Sequence, residues 1–145
     1  MKKAIGGAYV YNLVIIFLLI MFGFLMASYS YNKAFKVSKS VAKIIENDSG
    51  YNSKSKEEIN NYLKIIGYNK SEIKKDKCPV KKGKKAEWSM SGLCIYKASI
   101  DKDKDGKEMY ITYGIVSYMS IDLPLIELIR VPIYNETEKI YIFNK

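Results

Sequence analysis

The sequence predicts an α+β fold: a long N-terminal transmembrane-plus-amphipathic helix, a short second helix, and a three- to four-stranded antiparallel sheet. Three observations carry this. No charged side chain occurs between Lys3 and Lys33, and residues 13–26 have no polar side chain at all. Helical spacing of apolar residues continues beyond Lys33. From Leu93 onward the chain turns to Tyr, Ile, Val and Thr, the residues of strands.

The first element is the apolar run. A bilayer core is spanned by about 20 predominantly apolar residues in a helix. A cleaved signal peptide would have a shorter apolar region and a small-residue cleavage site. Ala27-Ser28-Tyr29 is a poor one. A retained single-pass helix in the cell membrane is therefore expected. Orientation is set by competing signals. Lys33, Lys36, Lys39 and Lys43 after the helix outnumber Lys2 and Lys3 before it, which favours a cytoplasmic C-terminal side. Two cysteines and a domain that reads as exported favour the opposite side. The expected organisation is a basic cytoplasmic N-terminus (1–7), a transmembrane helix (8–30) and an extracytoplasmic α+β domain (31–145).

The helix is expected to run on without a break, from about residue 8 to 45. Residues 31–47 hold no Gly or Pro, and Phe35, Ser38, Val41, Ala42 and Ile45 share one helical face. At 1.5 Å per residue such a helix is roughly 55 Å long. Asn47-Asp48-Ser49-Gly50 is a stop and turn. The spacing of Ser55 and Glu58 then predicts a capping box and a new helix starting there. Ile59, Tyr62, Leu63 and Ile66 would form its buried face, and Gly67 its C-terminal cap.

Residues 69–87 read as a Lys-rich connection, broken by Pro79 and Gly83. A short strand is predicted over 93–100, a polar tip over 101–108, and a second strand over 109–121. On that strand Met109, Ile111, Tyr113, Ile115, Met119 and Ile121 share a face, and Gly114 would mark a bulge or bend. A third strand is predicted over 125–133, ending near Pro132, then a turn over 135–138 and a last strand over 139–143.

The 145 residues carry a formal charge of +9, with 24 basic against 15 acidic side chains. Removing the anchor leaves about 115 residues, enough for one small domain. The positive charge sits in two patches, residues 33–43 and 70–85, and the chain after Glu87 is slightly acidic. A composition rich in Lys, Ile, Asn and Tyr also suits an AT-rich genome, so the charge alone names no partner. There is no His, which removes the commonest general base and metal ligand.

Candidate chemistry is sparse. Cys78 and Cys94 would pair if the domain lies outside the cytoplasm, and would stay reduced if it does not. Loop-closure entropy gives such a bond about 3 kcal/mol. Asp101, Asp103 and Asp105, followed by Gly106, match the first half of a calcium loop. The twelfth position is Thr112 instead of Glu, and three lysines interleave, so a solvated hairpin tip is the preferred reading. Lys81, Lys82, Lys84 and Lys85 could hold an anionic cell-surface polymer, against the simpler reading of a solvated loop. Aromatic interleaving is too sparse for a base-stacking platform, so nucleic acid is not an expected partner. Glu57 and Glu58 would complement a helix dipole. No nucleophile has a His base and no phosphate-binding glycine loop occurs. No enzyme and no cofactor are expected.

A short basic N-terminus, the run Gly6-Gly7-Ala8-Tyr9-Val10-Tyr11-Asn12-Leu13-Val14, and a helix continuing through Ile45 onto a small sheet together resemble the pilin and pseudopilin group. Within it the chain looks most like TadE-like minor pilins. The resemblance is strongest over about the first 45 residues and architectural thereafter. It implies a non-enzymatic subunit, inserted with the N-terminus inside, that assembles through its helix with itself or with other pilin-like subunits. Asn12, Gly23, Ala27, Phe35 and Val41 would lie on that assembly helix. The group's peptidase-processed members carry Glu five residues past the cleavage glycine. Here Tyr11 follows Gly6 at that distance and Asn12 follows Gly7. The alternative is a signal-anchored surface module that captures anionic polymers with its Lys-rich loop.

Overall fold

The computed structural model describes residues 2–68, 78–80, 84–102, 104, 106–123 and 126–142, with side chains outside 2–8 and 120–129. Two helices, α1 (Lys2–Asn47) and α2 (Ser53–Ile65), precede five strands. These are β1 (Trp88–Met90), β2 (Leu93–Lys102), β3 (Glu108–Leu123), β4 (Ile126–Glu136) and β5 (Ile140–Tyr141). All pairings are antiparallel, in the order β1-β2-β3-β4, and β5 also pairs with β3. This is the predicted α+β architecture, with more strand than expected.

The long helix α1 is unbroken, and it begins six residues before the expected start at residue 8. It ends where the Asn47–Gly50 turn predicts. Gly50 N–H donates to Ile45 C=O at 2.9 Å and Ser49 N–H to Glu46 C=O at 3.1 Å. That pair of reversed bonds is a Schellman cap. Ser49 takes the left-handed position (φ 55°) and Gly50 has φ 134°, a conformation that only glycine enters without strain.

Helix α2 starts one turn earlier than the Ser55 cap predicts. Asn52 is the N-cap: its side chain accepts from Ser55 N–H at 2.9 Å, while Ser55 Oγ accepts from Asn52 N–H at 2.8 Å. The reciprocal box is therefore Asn52 with Ser55, and Glu57 and Glu58 fall beyond the first turn. The C-terminal prediction holds. Gly67 (φ 61°) lets Tyr68 N–H reach Leu63 C=O at 2.9 Å, and both side chains are buried in one cluster.

One face of the sheet packs on the helices. Val37, Val41, Ala42 and Ile45 of α1 meet Ile59 and Leu63 of α2, and Leu93, Ile95, Ile111, Tyr113 and Ile115 of the sheet. Burying a side chain of this kind contributes about 1.5–3 kcal/mol, so this layer is the main source of stability. Ser117 Oγ adds a bond to Ala34 C=O at 3.0 Å. A second, smaller cluster on the opposite face contains Cys78, Cys94, Tyr96, Val116 and Tyr118.

Several strand boundaries differ from expectation for identifiable reasons. Strand β1 was not expected. It joins β2 through Ser91 (φ 48°) and Gly92 (φ 81°), a two-residue turn with both central φ angles positive, the type I′ pattern. Strand β2 extends to Lys102, past the expected end at 100. Pro132 lies inside β4 instead of ending it. It faces Tyr118, whose N–H and C=O both bond Tyr68 Oη (3.2 and 3.1 Å), so the missing proline N–H interrupts no rung. Asn135 and Glu136 are still strand, not turn. Strand β5 continues the β4 edge after a jog at Thr137. There Thr137 N–H donates to Tyr113 C=O, and Thr137 Oγ1 accepts from Tyr113 N–H, both at 2.9 Å. Gly114 marks no bulge. The register shifts lie at Lys97/Ser99, Asp101/Lys102 and Ile121/Leu123.

Candidate functional site: the unburied half of the long helix

Helix α1 changes character near Ala34. From there to Ile45 its inner face is buried against the sheet. Before Ala34 the chain's own core covers very little of it. Residues 9–26 expose large apolar side chains all round, Leu19 at 66% and Phe24 at 71% among them. The segment is long and apolar enough to cross a membrane. Its 18 residues rise about 27 Å, close to the thickness of a hydrocarbon core. A helix that is apolar all round must be buried by something, and among the described residues nothing in this domain does so.

The residues expected to act in assembly divide between the two halves. Asn12 is exposed in the free half. Gly23 is half-buried, and a Cβ added there would meet nothing within 4 Å, so the domain itself gives no reason for a glycine. Ala27 lines a shallow depression with Ser28, Tyr31, Asn32 and Met119. Phe35 is partly exposed and stacks on Tyr31, ring centroids 6.2 Å apart, so it leaves the face it was predicted to share with Val41. Val41 is fully buried in the domain core, where it packs the spine to the sheet. Lys33, Lys36, Lys39 and Lys43 are all exposed, forming a basic outer face just beyond the apolar segment.

Cys78 and Cys94 form a disulfide, with Cα atoms 6.0 Å apart. It anchors the segment before β1 over the sheet face opposite the helices, where Val80 and Ala86 pack against the cluster that holds Tyr96 and Val116. Lys84 and Lys85 are exposed there, and Lys81 and Lys82 lie outside the described residues. Asp103 and Asp105 also lie outside them. Asp101 is an exposed β2 residue with Lys139 Nζ 3.8 Å from its carboxylate. Among the described residues no cluster of metal-ligating side chains is present.

Among the described residues the perturbed ionisable groups are tyrosines and one lysine. Burial pushes Tyr51 up to about 12 and also raises Tyr68 and Tyr118. The hydrogen bond that Lys54 Nζ donates to the Asp48 carboxylate, at 2.7 Å, raises Lys54. All four move away from neutrality, the opposite of what a general acid or base needs.

Two features of the site escaped the sequence. One is Tyr68, whose hydroxyl closes the open side of β3 at Tyr118. The other is the reach of β3 along α1 as far as the Ala27–Asn32 region. Only the alternation around Met119 hinted at the second.

A long apolar N-terminal helix, free for half its length and packed by the other half on an antiparallel sheet, is consistent with a type IV pilin-like architecture. No protein-family model, curated protein or solved structure matches the chain.

Proposed function

We propose that this chain is a membrane-anchored, pseudopilin-like structural subunit of the TadE-like kind, serving a pilus or a type II-like secretion or adherence system. The observation that carries the reading is α1 itself. One continuous helix is lipid-compatible over residues 9–26 and is the core spine of a folded domain over 34–45. A plain anchor would need only the first property. The disulfide supports a domain outside the cytoplasm, where such bonds persist. The upward tyrosine shifts and the lack of His support a non-catalytic role. Assembly would use close helix packing at Gly23 and Ala27, since small residues let backbones approach in lipid. Asn12 would contribute a hydrogen bond where pilins use a carboxylate.

Photo-cross-linkers placed at Leu13, Phe17 and Phe24 in cells at native expression test the assembly. A ladder of cross-linked multimers through these positions is expected, and strict monomers would overturn it. An impermeant thiol reagent applied to intact cells carrying Ser53→Cys tests the side: labelling is expected, and protection until lysis would place the domain inside.

A further inference from the structure

The far end of the β3–β4 hairpin leaves the body of the sheet. Strand β2 pairs with β3 only as far as Cys94 opposite Val116, and Tyr68 covers Tyr118. Beyond that point β3 and β4 continue as a two-stranded ribbon, with Ser120 opposite Arg130, Ile121 opposite Ile129 and Leu123 opposite Ile126. A two-stranded ribbon is marginal in water unless something covers it.

The ribbon's direction is fixed by its contacts with α1. A Cβ on Gly50 would sit 3.4 Å from Tyr113 Oη, Ser117 bonds Ala34 at 3.0 Å, and Met119 sits with Ala27, Ser28 and Tyr31. Each step along β3 moves toward the N-terminal end of the helix. From Met119 to Leu123 the strand adds about 13 Å at 3.3 Å per residue. That carries the ribbon past Lys33, the first lysine after the apolar run, and alongside the exposed apolar segment of α1.

The composition of the ribbon end agrees with this position. Ile121, Leu123, Ile126, Leu128 and Ile129 sit there, with only Asp122 and Glu127 charged. Two carboxylates and the outer edges of a two-stranded ribbon cannot enter the hydrocarbon centre. A ribbon of this composition suits the headgroup–acyl boundary, a depth of about 5–10 Å.

We propose that residues 121–123 and 126–129 form a second membrane contact, resting in the headgroup–acyl boundary beside α1. The domain would then be held against the bilayer at two points, which fixes its tilt and the direction its basic helix face presents. This rests on the membrane-anchored reading of α1, and the test separates the two. The full chain is reconstituted in phosphatidylcholine vesicles, with or without lipids brominated near the headgroup or deep in the chain. Single tryptophans are placed by Phe17→Trp, Leu123→Trp, Ile126→Trp and Tyr134→Trp, each compared with the parent chain to remove the Trp88 background. Phe17→Trp reports the anchor and should be quenched most by the deep bromines. Leu123→Trp and Ile126→Trp should be quenched by the shallow bromines more than the deep ones and shielded from aqueous iodide. Tyr134→Trp, on the body of β4, should be open to iodide and unquenched by lipid. Quenching of Phe17→Trp alone overturns the second contact and keeps the anchor. No quenching at Phe17→Trp overturns the anchor itself. Shielding of Leu123→Trp and Ile126→Trp that rises with protein density, without bromine quenching, assigns the ribbon to a second copy of the chain and also overturns the proposal.

Discussion

A glycine in the middle of a central strand costs conformational entropy, and Gly114 has a specific reason to be there. It lies opposite Tyr96 on β2, and a Cβ at Gly114 would collide with the tyrosine ring, 2.6 Å from its Oη. The ring lies over the glycine and fills the space a side chain would take. Gly114→Ala is therefore expected to cost about 1–3 kcal/mol through overpacking, read as a lower thermal midpoint. In a Tyr96→Leu background the same change should cost much less, because the ring is gone and the two effects are not additive. Two buried serines make the complementary point about polar groups. Ser117 donates to Ala34 C=O, while Ser38 Oγ is buried with no partner among the described residues. Ser117→Ala should lose about 1 kcal/mol and Ser38→Ala should gain a similar amount, since removing an unpaired buried hydroxyl relieves its desolvation cost. Urea unfolding of the two variants in the same detergent would check that the signs are opposite.

At the scale of elements, the sequence revealed the helices better than the strand ends. A helix carries its own periodicity and caps, so α1, α2 and the Gly67 stop were legible. Even the misplaced N-cap erred by one turn, because Asn52 and Ser55 satisfy the same box as Ser55 and Glu58. The strand limits depend on partners far away in sequence. Pro132 reads as a terminator until it is known that the Tyr118 N–H and C=O opposite it turn away to Tyr68, leaving no rung that needs a proline N–H. β1 is three residues long and exists because it pairs with β2. Of the site, the apolar run and the cysteine pair were legible. The separation of Phe35 from Val41 was not, since helical spacing places them only near one another and the sheet decides which is covered. The disulfide is the element whose contribution is most easily isolated. It joins a segment with little regular structure to β2, at a sequence separation of 16 residues. Reduction should lower stability by about 3 kcal/mol, measured as a shift in the unfolding midpoint with and without reductant. The larger core against α1 lies on the opposite sheet face, so the reduced protein should still unfold cooperatively.

The molecule as a whole has two parts stabilised by different surroundings, joined by a single helix. Among the described side chains of α1 every buried one lies at or after Ala34, and residues 9–26 are absent from the core clusters. The free half of the helix therefore adds little to the stability of the domain core. A chain lacking residues 1–26 is expected to keep its disulfide, to be recovered without detergent, and to melt close to the full-length protein in detergent. Circular dichroism melts and gel filtration of both forms would check this. A broad, non-cooperative melt of the shortened chain would show instead that the apolar half helps to hold the spine straight. Ser28 and Ser30 lie near the new terminus, where a serine can cap the exposed amides of the shortened helix. The comparison matters because helix propensity alone makes a short helix marginal in water. If the spine survives truncation, it is the sheet, through Val37, Val41 and Ile45, that keeps α1 helical beyond the membrane. A subunit with that division can exchange lipid for neighbouring helices around its apolar half while its domain stays folded.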